Sequence, residues 1–180
     1  MKNAEYRQRS KLLLVAVAAL VAQAGLLETA RALEPESREV RAAVAKAVQF
    51  LESEEGRDDR VGAQALVGLA LLKSGKSPQH PQVVEAATEI RAAFSRSTPN
   101  FSEEYTPGLA LIFLVELNSP SYAPEIEQLL RYFGSTQKSN GGWGYPEKRT
   151  GDTSMTQYVV LGLWEAKRSG YHVDPGMIER

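Results

Sequence analysis

Cysteine is absent from this chain of 180 residues. Its absence excludes disulfides, a thiolate nucleophile, a lipidated cysteine and any zinc site that needs cysteine ligands. A fold without disulfides must be held together by a packed core. The hydrophobic residues, 43% of the chain, are sufficient for the core of one ordinary domain.

Net charge and histidine are also scarce. The formal charge is -1 and the basic residues are dispersed outside the N-terminus, so we expect no nucleic-acid partner. The two histidines, His80 and His172, lie in polar segments between apolar runs. Two histidines without cysteine cannot assemble a zinc centre with cysteine and histidine ligands, and the sequence predicts no metal or other cofactor.

The N-terminus has the order of a secretory signal peptide. A basic start is followed by an apolar run over residues 12–22 and by the small-residue pattern Ala22-Gln23-Ala24. The run is shorter than the about 20 residues that span a bilayer. Residues 1–24 are therefore predicted to direct export to the periplasm or the extracellular space, with cleavage after Ala24. An uncleaved anchor or a buried helix is the alternative. Residues 25–35 are predicted to be a linker.

Residues 36–180 alternate between two kinds of helical pattern. Val40, Val44, Val48 and Leu51 recur at helical spacing, and residues 64–72 are then apolar on nearly every side. The same succession returns in residues 81–96 and 109–117, and again in residues 124–136 and 153–167. These three pairs predict an all-α fold of repeated helix hairpins in two layers, with the apolar helices inside.

Two further features support a repeat. Asp59 and Gln64, five residues apart before an apolar run, recur as Asp152 and Gln157. Asp174-Pro175 is a good cap and first-turn pair, so a fourth helix pair is predicted to begin there. Because the pattern stops inside a repeat, we expect either further repeats or another chain to cover the C-terminal end.

A motif between the third pair of helices points to a family. Gln137-x-x-x-Gly141-x-Trp143, preceded by Tyr132-Phe133, resembles the QW motif of the prenyltransferase and squalene-cyclase repeat superfamily. The resemblance implies that residues 36–180 form part of an α/α toroid. The first repeat departs from the motif, because Glu55 replaces the glutamine and Val61 the tryptophan.

The motif also has a physical explanation as a structural clasp. A glutamine amide after a helix can donate to its unpaired carbonyls, and glycines permit a sharp reversal. We therefore expect Gln137 to bond the end of the helix near Thr136 and Trp143 to cover this polar cluster. The alternative is an ordinary glycine turn with a surface tryptophan.

The acid of a class II terpenoid cyclase is not apparent. Asp58-Asp59 lies between Arg57 and Arg60, which predicts ionised carboxylates in a salt-bridged loop rather than a proton donor. Ser154 and Gln157 fit a capping box better than a nucleophilic site. The sequence thus predicts no catalytic residue.

A ligand site is possible at the N-terminal ends of the inner helices, where free N–H groups gather. Simple helix capping is the alternative. The candidate residues are Asp59, Gln64, Asp152, Thr153, Gln157 and Tyr158.

These observations favour a non-catalytic binding or scaffold module with a small-molecule or protein ligand. Two alternatives stay open. One is a terpenoid-cyclase-like enzyme whose catalytic half lies outside this chain. The other is a polysaccharide-acting α/α-toroid enzyme that uses Trp143, Tyr158 and Trp164 as sugar platforms.

Overall fold

The computed structural model describes residues 34–95 and 104–179. This part of the chain contains six α-helices and no strand, which confirms the all-α prediction. No helix within it is long and apolar enough to cross a membrane. The predictions for residues 1–24 and for most of the linker over residues 25–35 fall outside the described residues. The helices are α1 (Arg38–Glu52), α2 (Val61–Lys73), α3 (Pro81–Ser95), α4 (Tyr105–Leu117), α5 (Ala123–Thr136) and α6 (Thr153–Arg168).

The chain divides into two compact units, Met1–Ala43 and Val44–Arg180. Helix α1 runs across the boundary between them. The packing described below lies within the second unit.

Helix α4 begins earlier than the sequence predicts. Its first residue is Tyr105, so Pro107 is the third helical residue. A proline is tolerated there because the N–H groups of the first turn have no partner within the helix. Helix α4 ends at Leu117, and the left-handed conformation of the next residue, Asn118 (φ 49°), closes the last turn.

Helices α2, α4 and α6 form a parallel row. Gly62 of α2 faces Thr106 of α4 and, further along both helices, Gly68 faces Phe113. Gly108 and Leu111 of α4 face Tyr158 and Gly162 of α6 in the same order. In each pair of helices, residues later in one helix face residues later in the other. The three helices therefore run in one direction. Their N-terminal ends therefore lie at one edge of the row.

Glycine permits the close approach within this row. A Cβ atom added at Gly68 would lie 2.6 Å from Cε2 of Phe113, and one added at Gly162 would lie 3.1 Å from Cδ2 of Leu111. The first distance is shorter than real Cβ contacts, so the phenyl ring occupies the space that a side chain would need. Each of these helix pairs thus joins a small residue to a bulky one.

Helices α3 and α5 pack against the row. Helix α3 contacts α2, whereas α5 contacts α4 and, less extensively, α6. Each of these two helices buries one apolar stripe, as its spacing predicts. The buried residues are Val83, Ala86, Ala87, Ile90 and Phe94 in α3, and Ile126, Leu129, Leu130 and Phe133 in α5.

Helices α3 and α5 are also joined directly. Arg91 of α3 bonds the carboxylate of Glu125 and donates to the carbonyl of Ser121. Its guanidinium lies 4.4 Å from the centre of the Tyr122 ring. Gln128 of α5 donates to the carbonyl of Phe94 at 3.3 Å. These contacts fix the first half of α5 beside the C-terminal half of α3.

Two of the three apolar helices are not buried all round, contrary to the sequence prediction. Leu66 of α2 is 52% exposed, and Trp164 of α6 is also 52% exposed. Helix α4 has a neighbour on each side and buries every residue from Ala110 to Val115. Helices α2 and α6 each have one such neighbour in the row, which leaves part of their apolar surface in solvent.

Helix α1 departs further from its prediction, because none of its residues is buried. Val44, which belongs to the predicted apolar stripe, is exposed, and Phe50 outside that stripe is exposed as well. Polar bonds hold the end of the helix instead. Gln82 donates to the carbonyl of Leu51 at 2.6 Å, and the carboxylate of Glu52 contacts Lys76 and His80 at 2.5 and 3.0 Å.

Substituting Gly68 with alanine tests the close packing of the row. Because the added methyl group meets Phe113, we expect Gly68→Ala to lower the free energy of unfolding by about 1 to 3 kcal/mol. Urea denaturation measures this change.

Gly134→Ala is the matched control, since Gly134 is also helical and the nearest atom to an added Cβ is Met177 Sδ at 3.6 Å. There alanine should raise stability by about 0.5 to 1 kcal/mol. Equal effects at the two positions would contradict the tight contact at Gly68.

Candidate functional site

Trp143 closes the C-terminal end of α5. Its side chain is 1% exposed, and its indole Nε1 donates to the carbonyl oxygen of Phe133 at 2.8 Å. Phe133 lies in the last turn of α5, where carbonyls have no partner in the helix. The buried ring therefore both fills the core and satisfies a helix end, and the surface tryptophan considered from the sequence is excluded.

Gln137 bonds different atoms from those expected. Its Nε2 donates to the carbonyls of Gly141 and Met177, each at 2.8 Å, and not to the carbonyls that end α5. The backbone leaves the helical conformation at Gln137 (φ -59°, ψ 128°), so its side chain reaches the hinge and the C-terminal segment. The indole of Trp143 takes the role expected of the amide. Tyr132 and Phe133, also in the motif, contact each other edge to face, with ring centres 5.6 Å apart.

The hinge after Gln137 is fixed to the start of α6. Gly141 has the positive φ of 80° that favours glycine, and the amide of Lys138 donates to the carbonyl of Gly142 at 2.8 Å. The amide of Trp143 donates to the hydroxyl of Thr156 at 3.0 Å, and this hydroxyl donates to the carbonyl of Trp143 at 3.1 Å. We call Gln137, Gly141, Trp143 and Thr156 the clasp, since together they join α5, the hinge, α6 and the C-terminal segment.

Asp152, not Ser154, caps α6. Its carboxylate accepts from the amide of Met155 at 3.0 Å and from the hydroxyl of Ser154 at 2.6 Å. The Ser154 hydroxyl and then the Met155 amide stabilise the charged form, and they lower the pKa of Asp152 below its usual value. The capping box predicted at Ser154 and Gln157 is therefore wrong, because the helix begins one residue before the serine.

A groove of about 410 Å³ lies beside the clasp. Of the predicted ligand residues, Asp152 and Thr153 line this groove. The other residues that line it come from the hinge, from α6 and from the C-terminal turn: Asn140, Gly141, Gly142, Trp143, Gly151, Thr156, Val160, Met177 and Ile178.

The other candidate ligand residues lie elsewhere. Gln64 lines a cavity of only about 30 Å³ at the start of α2, a volume close to that of one water molecule. Asp59 is highly exposed and contacts Arg57 at 3.3 Å. Gln157 is exposed, whereas Tyr158 is half-buried. The six candidates are thus divided between at least two places rather than gathered in one pocket.

The salt-bridged loop predicted before α2 is confirmed at Asp58. Its carboxylate accepts from Nη2 of Arg60 at 2.6 Å and from the Arg60 amide at 3.0 Å. The Arg60 side chain is the larger cause, and together these bonds lower the pKa of Asp58 to about 2. Asp58 is therefore ionised at neutral pH.

Tyr105 is a residue that sequence reasoning missed. Its hydroxyl lies 2.6 Å from Ser154 Oγ, and its ring meets that of Tyr158 edge to face at 5.4 Å. It thus joins the N-terminal ends of α4 and α6. The sequence offers one signal for this contact: Tyr105 precedes Gly108 by three residues. In neighbouring parallel helices, the side chains of the first turns lie close together.

A stripe along α4 joins similar stripes on its two neighbours. Tyr105, Leu109, Ile112 and Glu116 recur at helical spacing on α4. At one end Tyr105 reaches Ser154 of α6, and at the other Glu116 accepts from Lys73 of α2 at 2.5 Å. Leu161 follows Ser154 by seven residues, and Leu66 precedes Lys73 by seven, so these leucines lie on the same sides of their helices.

We call this surface of the row the shared face. It has an apolar centre and polar contacts at both ends. Leu66 and Leu161 are exposed at the two sides of the shared face, whereas Ile112 at its centre is 8% exposed. Its members are Leu66, Lys73, Tyr105, Leu109, Ile112, Glu116, Ser154 and Leu161.

In the described part of the chain, no group of three or more histidine, aspartate and glutamate side chains could hold a metal ion. His80 Nε2 contacts Glu52 at 3.0 Å. His172 lines a separate surface groove of about 380 Å³ together with Glu127, Arg131 and Asp174.

Comparisons with models of protein families, with curated proteins and with solved structures returned no match for this chain.

Substitutions in the clasp should destabilise the fold. We expect Trp143→Ala and Gln137→Ala each to lower the free energy of unfolding by about 1 to 4 kcal/mol, through a cavity or lost hydrogen bonds. Trp143→Phe should cost less than Trp143→Ala, because it keeps a buried ring and loses only the bond to Phe133. Thermal denaturation measures all three variants. Tyr145→Ala, at an exposed site in the same loop, is the control, and unchanged melting of both alanine variants would contradict the clasp.

The cap at Asp152 should make stability depend on pH. Because folding lowers the pKa of this carboxyl, its contribution is present above the unfolded value of about 3.8 and is lost as the pH falls through the lower folded value. We therefore expect Asp152→Asn to melt below the wild type at neutral pH, with the difference vanishing in acid. Glu147→Gln changes the net charge equally at an exposed site and controls for general charge effects. A difference that stays constant with pH would contradict the charged cap.

Proposed function

We propose that this chain is a non-catalytic binding or scaffold module with the α/α-toroid organisation that its QW-like motif implies. It would act outside the cytoplasm, as its N-terminal segment predicts. The shared face is the site at which we expect a ligand to bind.

The observation that carries this proposal is the pair of exposed leucines that flank the apolar centre of the shared face. Leu66 of α2 and Leu161 of α6 are exposed, whereas both helices bury apolar residues on other sides. Exposed apolar surface with polar residues at its ends is typical of ligand grooves and interaction surfaces. The groove beside the clasp is less suitable, because its central residues form backbone bonds within the hinge.

The chemistry at the start of α2 supports binding over cyclisation. Protonation of an alkene needs a carboxylic acid that keeps its proton until the substrate arrives. Asp58 has a pKa of about 2 and is bonded to Arg60, so it does not meet this requirement. Asp152 caps α6 and its pKa is also lowered.

A panel of ligands from the rival classes tests the proposal. The purified protein is incubated with squalene, isoprenoid diphosphates and oligosaccharides; melting reports binding and mass spectrometry reports conversion. We expect at least one class to raise the melting temperature and none to be converted. Leu161→Glu places a charge on the shared face and should abolish the shift.

Val84→Glu, at an exposed position on α3, is the control that should keep the shift. Conversion of any compound would contradict a non-catalytic role. Binding that survives Leu161→Glu would place the ligand elsewhere.

A further inference from the structure

Among the residues that the structure describes, no helix covers the outer side of the row at either end. On α6, Val160 and Trp164 are exposed, and Ile178 from the C-terminal turn is exposed near them, since it lines the same groove as Val160. These residues form an apolar surface that we call the end face. It lies away from Tyr158 and Gly162, through which α6 contacts α4.

On α2 the corresponding side is opposite the contact with α4. Gly62, Ala65 and Gly68 are buried toward α4. Helical spacing places Ala63 and Ala70, seven residues apart, on the reverse side, with the exposed Leu66 at its edge. We call Ala63, Leu66 and Ala70 the start face.

The two faces match a packing that the chain already uses. Leu111 of α4 fits against Gly162 of α6. There the bulky residue of one helix in the row meets a small residue of the next helix. Trp164 and Val160 on the end face would meet Ala63 and Ala70 on the start face in the same way.

Two of the basic residues beside these faces are neutralised within the chain. Arg168 bonds Glu165 at 3.6 Å and lies 4.6 Å from the centre of the Trp164 ring. Lys73 beside the start face is bonded to Glu116 at 2.5 Å. Neither of these two cations is therefore an unpaired charge that opposes an apolar contact.

We propose that the end face of one molecule docks on the start face of a second copy of this chain. The row of parallel helices then continues from α6 of one molecule to α2 of the next, with the packing already seen between α2, α4 and α6. The contact is head to tail, so the two surfaces differ and each molecule carries one of each. This assembly does not depend on ligand binding at the shared face.

Two blocked variants test the proposal. Trp164→Glu disables the end face and Ala70→Glu disables the start face, while each leaves the other face intact. Sedimentation from low micromolar to submillimolar protein measures the mass. We expect the wild type to associate, each variant alone to stay monomeric, and an equimolar mixture to form a complex of twice the monomer mass.

Leu66→Glu is a second start-face variant for use if Ala70→Glu does not give a wild-type circular dichroism spectrum. Val84→Glu, away from both faces, should associate like the wild type. A wild type that stays monomeric over the whole range would overturn the proposal. A mixture of blocked variants that stays monomeric would also overturn it, because only a head-to-tail contact is restored by mixing.

Discussion

The contact of α4 with both of its neighbours depends on positions where no side chain separates the helices. Gly62 and Gly68 on one side, and Gly108 and Gly162 on the other, let bulky residues of the facing helix approach the backbone. This constraint also sets the direction of the helices, since the small and bulky residues match in order only when the three run parallel. Helices α3 and α5 and the clasp are arranged around this row.

A parallel row requires long connections, because each chain segment must return to the starting edge. Helices α3 and α5 make these returns, and the clasp ends the second one. Trp143 satisfies the last turn of α5 while Thr156 bonds the backbone of Trp143, so the return helix and the next helix of the row are held by the same residue. These bonds constrain the backbone of the hinge. Gly142 and Gly151 approach each other so closely that a side chain at either position would meet the backbone of the other.

Helix type and position were predictable because they follow from the period of apolar residues, and this period is a local property. The bonding of Gln137 was not predictable, since its partner at Met177 lies forty residues further along the chain. The cap of α6 was misassigned for a smaller reason: Asp152 and Ser154 are both good caps, and only the backbone shows which precedes the first turn. Exposure of Leu66 and Trp164 could not be read from a helical pattern, because an apolar surface does not reveal whether a neighbour covers it. The pairing of Tyr105 with Ser154 needed the parallel register of the row.

The parallel direction of α2, α4 and α6 has an electrostatic consequence. Helix dipoles that point the same way repel one another, with partial positive charge gathered at one edge and partial negative charge at the other. Acidic residues stand at the first edge, where Asp152 caps α6 and Asp58 precedes α2. Basic residues stand in the last turns at the second edge, where Lys73, Lys167 and Arg168 lie. Glu116 is the exception at the end of α4, and Lys73 of the adjacent helix neutralises it. Charged residues that look like ordinary surface residues thus offset the electric field of the aligned helix dipoles.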